Sequence, residues 1–370
     1  MRKIFIIAII LMLIFNFNIS YAEEDLGQDI EIENILTDVK EVFKNNLDEP
    51  NISCKAACVI DRETKAVLYN KNMNEQRAQA STTKIMTIII AVEKGNLNDI
   101  VIASSKAANT GGTSLDLTTG AKVTLRDLLY GLMFISGNDA AVAIAEHIGG
   151  SVEGFAEMMN EKARELECAN TNFVTPHGLD EEGHYTTAYE LAIVSDYALK
   201  NKTIMSIAKI KKVTITINGY SKELMNTNPL LGRVNGVDGL KTGFTSEAML
   251  CVVTSVTRGD TSIVVVILGA DNRTLRNKDD IALIEYAFSK YEKVDLDKVL
   301  KDEFNYWLDI NQKRISINKG MRTNLEFELE KINIGKYPIK KDEVKDIELV
   351  THVLTNIDAP VEKGEVVRTM

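Results

Sequence analysis

The chain has 370 residues, 45% of them apolar and 26% charged, with a net charge of −10. That length and composition support one large globular domain plus a smaller one. The acidic balance, with no long Lys/Arg run, excludes nucleic-acid partners, whose phosphates need a basic surface.

The chain opens with a targeting pattern. Arg2 and Lys3 precede an apolar run from Ile4 to Phe15, and Ser20-Tyr21-Ala22 forms a small-x-small cleavage site. The run is shorter than the roughly 20 residues of a spanning helix, so residues 1–22 read as a signal peptide cleaved after Ala22. The protein is therefore expected to work outside the cytoplasm, secreted into the zone between membrane and wall. Residues 23–50 are acidic and weakly amphipathic, with Ile30, Ile32, Ile35, Leu36, Val39, Val42 and Phe43, and fit a short helix or linker. AACVID, RETK and AVLYN, running on from Ala56, read as strand, turn and strand.

Cys54 and Cys58 read as sharing that first strand, where four residues span about 13 Å at roughly 3.3 Å per residue. A disulfide needs alpha carbons within about 7 Å, so the two do not pair with each other. With Cys168 and Cys251 they read as buried structural thiols, a Cys168–Cys251 bridge being the alternative.

From Ser81 to Leu199 helical signals dominate. Ser81 opens the apolar run IMTIIIAVEKG, which stops at Gly95 as a helix-terminating glycine. An apolar helix of this kind is buried on most sides. Thr124 and Asp127 form a capping-box pattern before LLYGLMFI, Asn138 or Asp139 restarts a helix through AAVAIAEHI, and Ser151 caps another to about Glu167. Strands return at Val213 to Ile217, LKTGF, MLCVVTSVT and SIVVVILGA, with a turn at Arg258-Gly259-Asp260. A helix from Asp279 to Tyr291 closes this part. After about Val294, segments such as KRISINKG, NLEFELEK and IELVTHVL are short and alternating, which reads as a small β domain.

The four histidines are scattered, and His177 and His184 do not have ligand spacing for a helix, so neither metal nor other cofactor is expected. No G-x-S-x-G elbow occurs. What stands out is Ser81-Thr82-Thr83-Lys84, then Ser136-Gly137-Asn138, then Lys241-Thr242-Gly243. S-x-x-K also occurs at Ser206 to Lys209 and Ser316 to Lys319, so the first element alone is weak. Only the Ser81 copy starts an apolar helix, and a lysine inside such a helix is costly without a reason. At that spacing the Lys84 amine reaches the Ser81 hydroxyl, and a helix N-terminus favours developing negative charge. Ser136 is placed to relay a proton and Asn138 to hold a peptide, although a plain turn followed by a capping Asn has the same sequence. Lys241 supplies a second cation that lowers the pKa of Lys84, Thr242 a hydroxyl, and Gly243 close backbone approach along a strand.

The strings AQASTTKIMT, FISGNDAAVAIAE, NFVTPHGLDEEGHYTTAYELA and NPLLGRVNGVDGLKTGFTSEA resemble the low-molecular-weight D-alanyl-D-alanine carboxypeptidases, the penicillin-binding protein 5 type. The resemblance is strong over about residues 50–290 and weaker over 294–365. It implies an α/β (α+β) penicillin-binding/β-lactamase-like transpeptidase domain, an antiparallel sheet with a helical cluster, at 51–293. A small C-terminal all-β domain is expected at 294–370. It also implies removal of the terminal D-alanine from peptidoglycan stem pentapeptides, with β-lactams as covalent inhibitors. Carried over by position, Ser81 is the acyl-ester nucleophile, Lys84 the general base and Ser136 the proton relay. Asn138, Lys241, Thr242 and Gly243 bind substrate, and the Ser81 and Phe244 N–H groups form the oxyanion hole. Arg276 matches the family's carboxylate-recognising arginine, with Arg273 as a close neighbour.

Two departures stand out. The chain ends at PVEKGEVVRTM without the family's C-terminal amphipathic membrane helix, which leaves membrane association open between a freely secreted form and a sequence incomplete at that end. Phe244 is also bulky and narrows the expected rim. A class A β-lactamase shares the three motifs but adds a deacylating Glu in a loop, for which no counterpart stands out, and lacks the second domain. A non-catalytic β-lactam sensor would not need Ser81, Lys84 and Lys241 all intact.

Overall fold

MLCVVTSVT and SIVVVILGA are apolar at most positions, so the strands they form cannot leave a face in water. The computed structural model describes residues 31–43, 48–311, 316–318, 327, 329, 333–347 and 356–358. In it the two strings become β8 (Met249–Arg258) and β9 (Thr261–Ala270), inside a five-stranded antiparallel sheet. With β1 (Ala56–Asp61), β2 (Val67–Lys71) and β7 (Val237–Thr245) the order is β2-β1-β9-β8-β7, which leaves β7 at an edge. The β1–β2 hairpin is the expected one. The β8–β9 turn puts Gly259 at φ 61, a left-handed conformation glycine takes without steric cost.

The sheet is covered on both faces. One face packs Cys58, Val253, Val264 and Val266 into the core shared with the helices. The other receives α9 (Arg273–Lys290), whose Asp280 accepts from Thr254 Oγ1 at 2.6 Å and whose Asp279 accepts from Cys54 N–H at 2.8 Å. A helix over residues 31–43 (α1) buries Ile32, Val39 and Phe43, with the Phe43 ring 6.0 Å from Tyr286 of α9. The helix α9 starts at Arg273 and not at the expected Asp279. Asn272 Oδ1 accepts the Leu275 N–H at 2.9 Å and so caps an earlier first turn.

The helical cluster is built around α2 (Lys84–Lys94), which is preceded by a 3-10 turn, Ala80–Thr83. Every residue from Lys84 to Ala91 is buried. Around it pack α4 (Leu125–Phe134), α5 (Asn138–Gly149), α6 (Val152–Glu165), α7 (Ala188–Lys200) and α8 (Lys202–Ala208). Thr124 and Ser151 cap as expected, each accepting an N–H at 3.0 Å. Two details differ from expectation. α2 does end at Gly95, but φ there is −97 and not left-handed, so the glycine is there for space: a Cβ would lie 2.4 Å from Leu125 Cδ2. Neither Asn138 nor Asp139 caps α5, whose N-cap is Gly137; both side chains are used elsewhere.

A second antiparallel sheet joins β3 (Ile100–Ile102), β4 (Lys122–Thr124), β5 (Lys212–Ile217) and β6 (Tyr220–Met225), and a short helix α3 (Ser105–Ala108) follows β3. Of these only β5 is expected from the sequence: β3 and β4, three residues each, are too short to show alternation, and β6 (YSKELM) buries only Leu224. All four cysteines are free and buried, so no Cys168–Cys251 bridge forms, and Cys54 precedes β1 instead of lying on it.

The chain divides into two compact units, residues 1–289 and 290–370. In the second, β10 (Tyr291–Asp295) pairs antiparallel with β12 (Lys336–Lys340), and β11 (Ser316–Asn318) pairs parallel with β13 (Asn356–Asp358). Besides these strands it holds a helix, α10 (Leu296–Asn311). Its apolar residues Leu296, Val299, Leu300, Phe304, Trp307 and Leu308 recur at helical spacing, a signal that the neighbouring alternation masked. The leader at 1–22, the PVEKGEVVRTM end, and most of NLEFELEK and IELVTHVL lie outside the described residues. Among those described, no helix is long and apolar enough to cross a membrane.

Ile89, 1% exposed on α2, reports on the core that carries the site. Ile89→Ala is expected to cost about 2–5 kcal/mol in denaturant unfolding, and a loss under about 1 kcal/mol would contradict the packing described.

Candidate active site

The first of the three motifs sits on a strained turn. Ala80 has φ 49, a left-handed conformation that costs a residue with a Cβ roughly 1–2 kcal/mol. Two glycines press on it. A Cβ on Gly178, itself at φ 83, would lie 1.9 Å from Ala80 O. A Cβ on Gly243 of β7 would lie 2.9 Å from Ser81 N and 3.0 Å from Ala80 Cβ. The loop before α7 and the edge strand thus hold the turn from two sides. Ser81 is half-buried within it. Residues three apart eclipse in a 3-10 turn, better alignment than an α-helix gives, and Lys84 Nζ is 2.8 Å from Ser81 Oγ.

Lys84 is fully buried, and its Nζ has two further partners, Asn138 Oδ1 at 2.7 Å and the His177 carbonyl at 2.6 Å. Asn138 Nδ2 donates to Gly111 O at 2.7 Å, which turns Oδ1 toward the lysine. Both carbonyl oxygens can only accept. A neutral amine has two N–H bonds for these two acceptors, which leaves its lone pair for the Ser81 hydroxyl. Electrostatics favour that neutral state: burial, and then the Lys241 charge, hold Lys84 well below the ordinary lysine value, with the Asp139 carboxylate opposing.

The His177 carbonyl is held by its loop. Thr87 Oγ1 donates to Pro176 O at 2.6 Å, and Thr83 Oγ1 lies 2.8 Å from His184 Nε2. His184 Nδ1 accepts the Val174 N–H at 2.9 Å, so the ring proton is on Nε2 and points at Thr83. Burial pushes His184 down to about 4 and His177 to about 3, so both rings are neutral at physiological pH.

Ser136 takes φ 61 before α5, and its Oγ is buried with no protein hydrogen-bond partner among the described residues. Lys241 is 1% exposed and donates to Thr242 O at 2.8 Å. Burial and the nearby Arg276 bring it down to about 7. Arg276 is buried at the start of α9 and bonded to Asn277 Oδ1, whereas Arg273 is exposed. Thr242 Oγ1 meets Thr227 Oγ1 at 3.1 Å, and Phe244 is 65% exposed at the strand edge.

The arrangement is a reachable hydroxyl beside a neutral buried amine, a second cation of lowered pKa, and an edge strand. That is equipment for acyl transfer through serine. Ser81, Lys84 and Asn138 meet directly, Gly243 packs on Ser81, and Lys241 and Arg276 act through charge. Asn138 spends one of its two amide N–H groups on Gly111 O, while its Oδ1 accepts from Lys84 Nζ. Sequence reasoning missed His177 O, His184, Gly178, Thr227 and the Asp139 contacts. Only the glycine and the buried histidine in VTPHGLDEEGH left a trace there, since backbone carbonyls and loop contacts leave no pattern. The other S-x-x-K copies are unrelated: exposed Ser206 donates to Thr203 O on α8, and Ser316 is on β11. Among the described residues no group of three or more His, Cys, Asp or Glu is placed to hold a metal.

Comparisons with known proteins agree with this chemistry. The family model described as D-alanyl-D-alanine carboxypeptidase matches residues 43–272. The D-alanyl-D-alanine carboxypeptidase DacF of Bacillus subtilis is 37% identical over 85% of this chain and 80% of its own. The crystal structure of a Streptomyces DD-transpeptidase superposes with a TM-score of 0.63 at 31% identity, covering 65% of this chain and 99% of that one. The D-alanyl-D-alanine carboxypeptidase DacD of Francisella tularensis superposes with a TM-score of 0.70 at 25% identity, over 87% of this chain and 89% of that one.

Gly243→Ala tests the close approach of β7. The added methyl is expected to cost about 1–3 kcal/mol of stability, with β7 moved off the Ser81 turn in a crystal structure. A variant of unchanged melting temperature and strand position would contradict the contact.

Proposed function

The chain belongs to the D-alanyl-D-alanine carboxypeptidase family, and from that premise we propose that it removes the terminal D-alanine of peptidoglycan stem peptides through an acyl-enzyme on Ser81. The observation that carries this reading is the three-way seat of the Lys84 amine, with its lone pair left for the serine hydroxyl.

Lys84 takes the Ser81 proton as Oγ attacks the carbonyl between the two D-alanines. The N–H groups of Ser81 and Phe244 receive the oxyanion; Gly243, just before Phe244, is what lets the strand come this close. The substrate peptide lies extended along β7, whose outer edge has no partner strand among the described residues. Lys241 and Thr242 hold the terminal carboxylate, with Arg276 behind them. Ser136 carries the proton from Lys84 to the departing amine. Water then cleaves the ester. A β-lactam acylates the same serine and leaves slowly. The Ser20-Tyr21-Ala22 leader suits work outside the cytoplasm, on the wall and in maintenance of cell shape.

A second reading follows from the likeness to a DD-transpeptidase, in which an amine replaces water as acyl acceptor. Free D-alanine is released in both cases, and the fate of the acyl group separates them: a shortened acid for hydrolysis, a new amide for transfer.

Two outcomes test the mechanism. With a D-Ala-D-Ala-terminated peptide, Ser81→Ala is expected to lower D-alanine release by about 1000-fold or more, and equal release by both proteins would exclude the assigned nucleophile. The pH profile of kcat/KM carries opposite demands. Lys84 must be neutral, so activity rises as pH climbs through its lowered pKa. Lys241 must be charged, so activity falls above about 7. Lys241→Arg keeps the cation and is expected to remove that alkaline limb; an unchanged limb would assign it to another group.

A further inference from the structure

Asp139 follows Asn138 at the start of α5 and is fully buried, yet its carboxylate serves its own helix very little. Oδ1 accepts from the N–H of Leu115 and of Ala140, both at 2.8 Å. Oδ2 accepts from Leu117 N–H at 2.9 Å and Ser114 Oγ at 2.7 Å. Three of the four bonds therefore go to the loop between α3 and β4. That same loop grips Asn138: Thr113 O accepts the Asn138 N–H at 2.7 Å and Gly111 O accepts from its Nδ2 at 2.7 Å. Gly112, at φ 84, approaches so closely that a Cβ would lie 2.6 Å from Asn138 Nδ2. The clamp and the amide it aims are consecutive residues.

We propose that Asp139 is a positioning residue for the acylation step: its buried carboxylate fixes the 111–117 loop, and the loop orients the Asn138 amide that seats the Lys84 amine. The proposal rests on the reading of Lys84 as the base for Ser81. An aspartate in the first turn of a helix is ordinarily explained by the helix dipole. Here the fixed loop amides and hydroxyl outnumber the single helix N–H, and their loop holds both Asn138 bonds.

The carboxylate has a second effect on the same amine. The groups facing Lys84 are Lys241 from β7, Asp139 from α5, and His177 and His184 from the loop before α7. The two histidines are neutral, Lys241 disfavours the ammonium and Asp139 favours it. Removing the carboxylate charge therefore makes the amine easier to neutralise while it loosens the seat. The rate and the pH profile should move in distinguishable ways, which a merely weakened fold would not produce.

The test uses the full chain, a fluorescent penicillin that labels Ser81, and second-order acylation rates measured across pH. Ser81→Ala serves as the blank. For Asp139→Asn the expected result is a rate lowered about 10-fold or more, with the acid limb displaced about half a pH unit downward. For Ser114→Ala, which removes one bond and no charge, the expected loss is about two- to five-fold with the acid limb in place. Labelling of wild type no better than Ser81→Ala would remove the acyl-enzyme reading itself. With wild type labelled, an Asp139→Asn variant of unchanged rate, or of lowered rate with an unmoved acid limb, overturns the positioning role. Should Asp139→Asn not fold, Ser114→Ala decides, and a wild-type rate there overturns the proposal.

Discussion

A lysine amine buried without a carboxylate hydrogen-bonded to it must either lose its proton or destabilise the fold around it. Lys84 is in that position. Its nearest hydrogen-bond partners are a serine hydroxyl and two carbonyl oxygens, and the nearby Lys241 adds repulsion to desolvation. The neutral amine that results is what the serine needs. Much of the domain can be understood as the means of keeping it there. The apolar helix α2 draws the residue into the core, where its hydrogens go to the His177 carbonyl of one loop and to the side-chain oxygen of Asn138, which a second loop holds through Gly111 O.

Each loop is itself pinned by buried polar groups. The loop carrying His177 O is fastened to α2 and the turn before it through Thr87 and the Nε2–H of His184. The loop carrying Gly111 O is fastened to α5 through Asp139 and the Asn138 backbone. Buried networks of this kind stiffen a site when every member is satisfied, because an unpaired member in low dielectric is costly. Ser136 Oγ stands apart from this pattern as a buried hydroxyl without a protein partner among the described residues. A group of that kind is suited to a proton that passes and does not stay. The strained Ala80, pressed by Gly178 and Gly243, belongs to the same logic, since an unfavourable backbone persists only where neighbours over-determine it.

The sequence announced the chemistry better than the support for it. Ser81 and Lys84 were readable because a cation and a hydroxyl interrupt an apolar helix start, and Gly243 because a small residue followed a cation and a hydroxyl on a strand. The central strands and the helical cluster were readable from uninterrupted apolar runs. What escaped detection depends on backbone atoms or long-range packing. The His177 carbonyl has no side-chain signature, and Asp139 looks like an ordinary first-turn acid until its loop partners are seen. The turn-and-cap pattern around Asn138 carries no sign that its side-chain oxygen reaches the lysine, a contact set by the close approach of the loop. In the second unit the helical spacing from Leu296 to Leu308 stands beside alternating segments whose strand signal dominates the region.

Everything at the site follows from the protonation state of one nitrogen, and that state can be observed directly. With the lysine side chains labelled with 15N, the Nζ resonance of Lys84, assigned by its absence in Lys84→Met, can be followed against pH in the resting protein. A neutral amine is expected at mildly alkaline pH, with a titration midpoint well below 10.5 that rises when Lys241→Met removes the neighbouring charge. A Lys84 that stays an ammonium until near 10.5 would contradict the assignment of this amine as the base for Ser81.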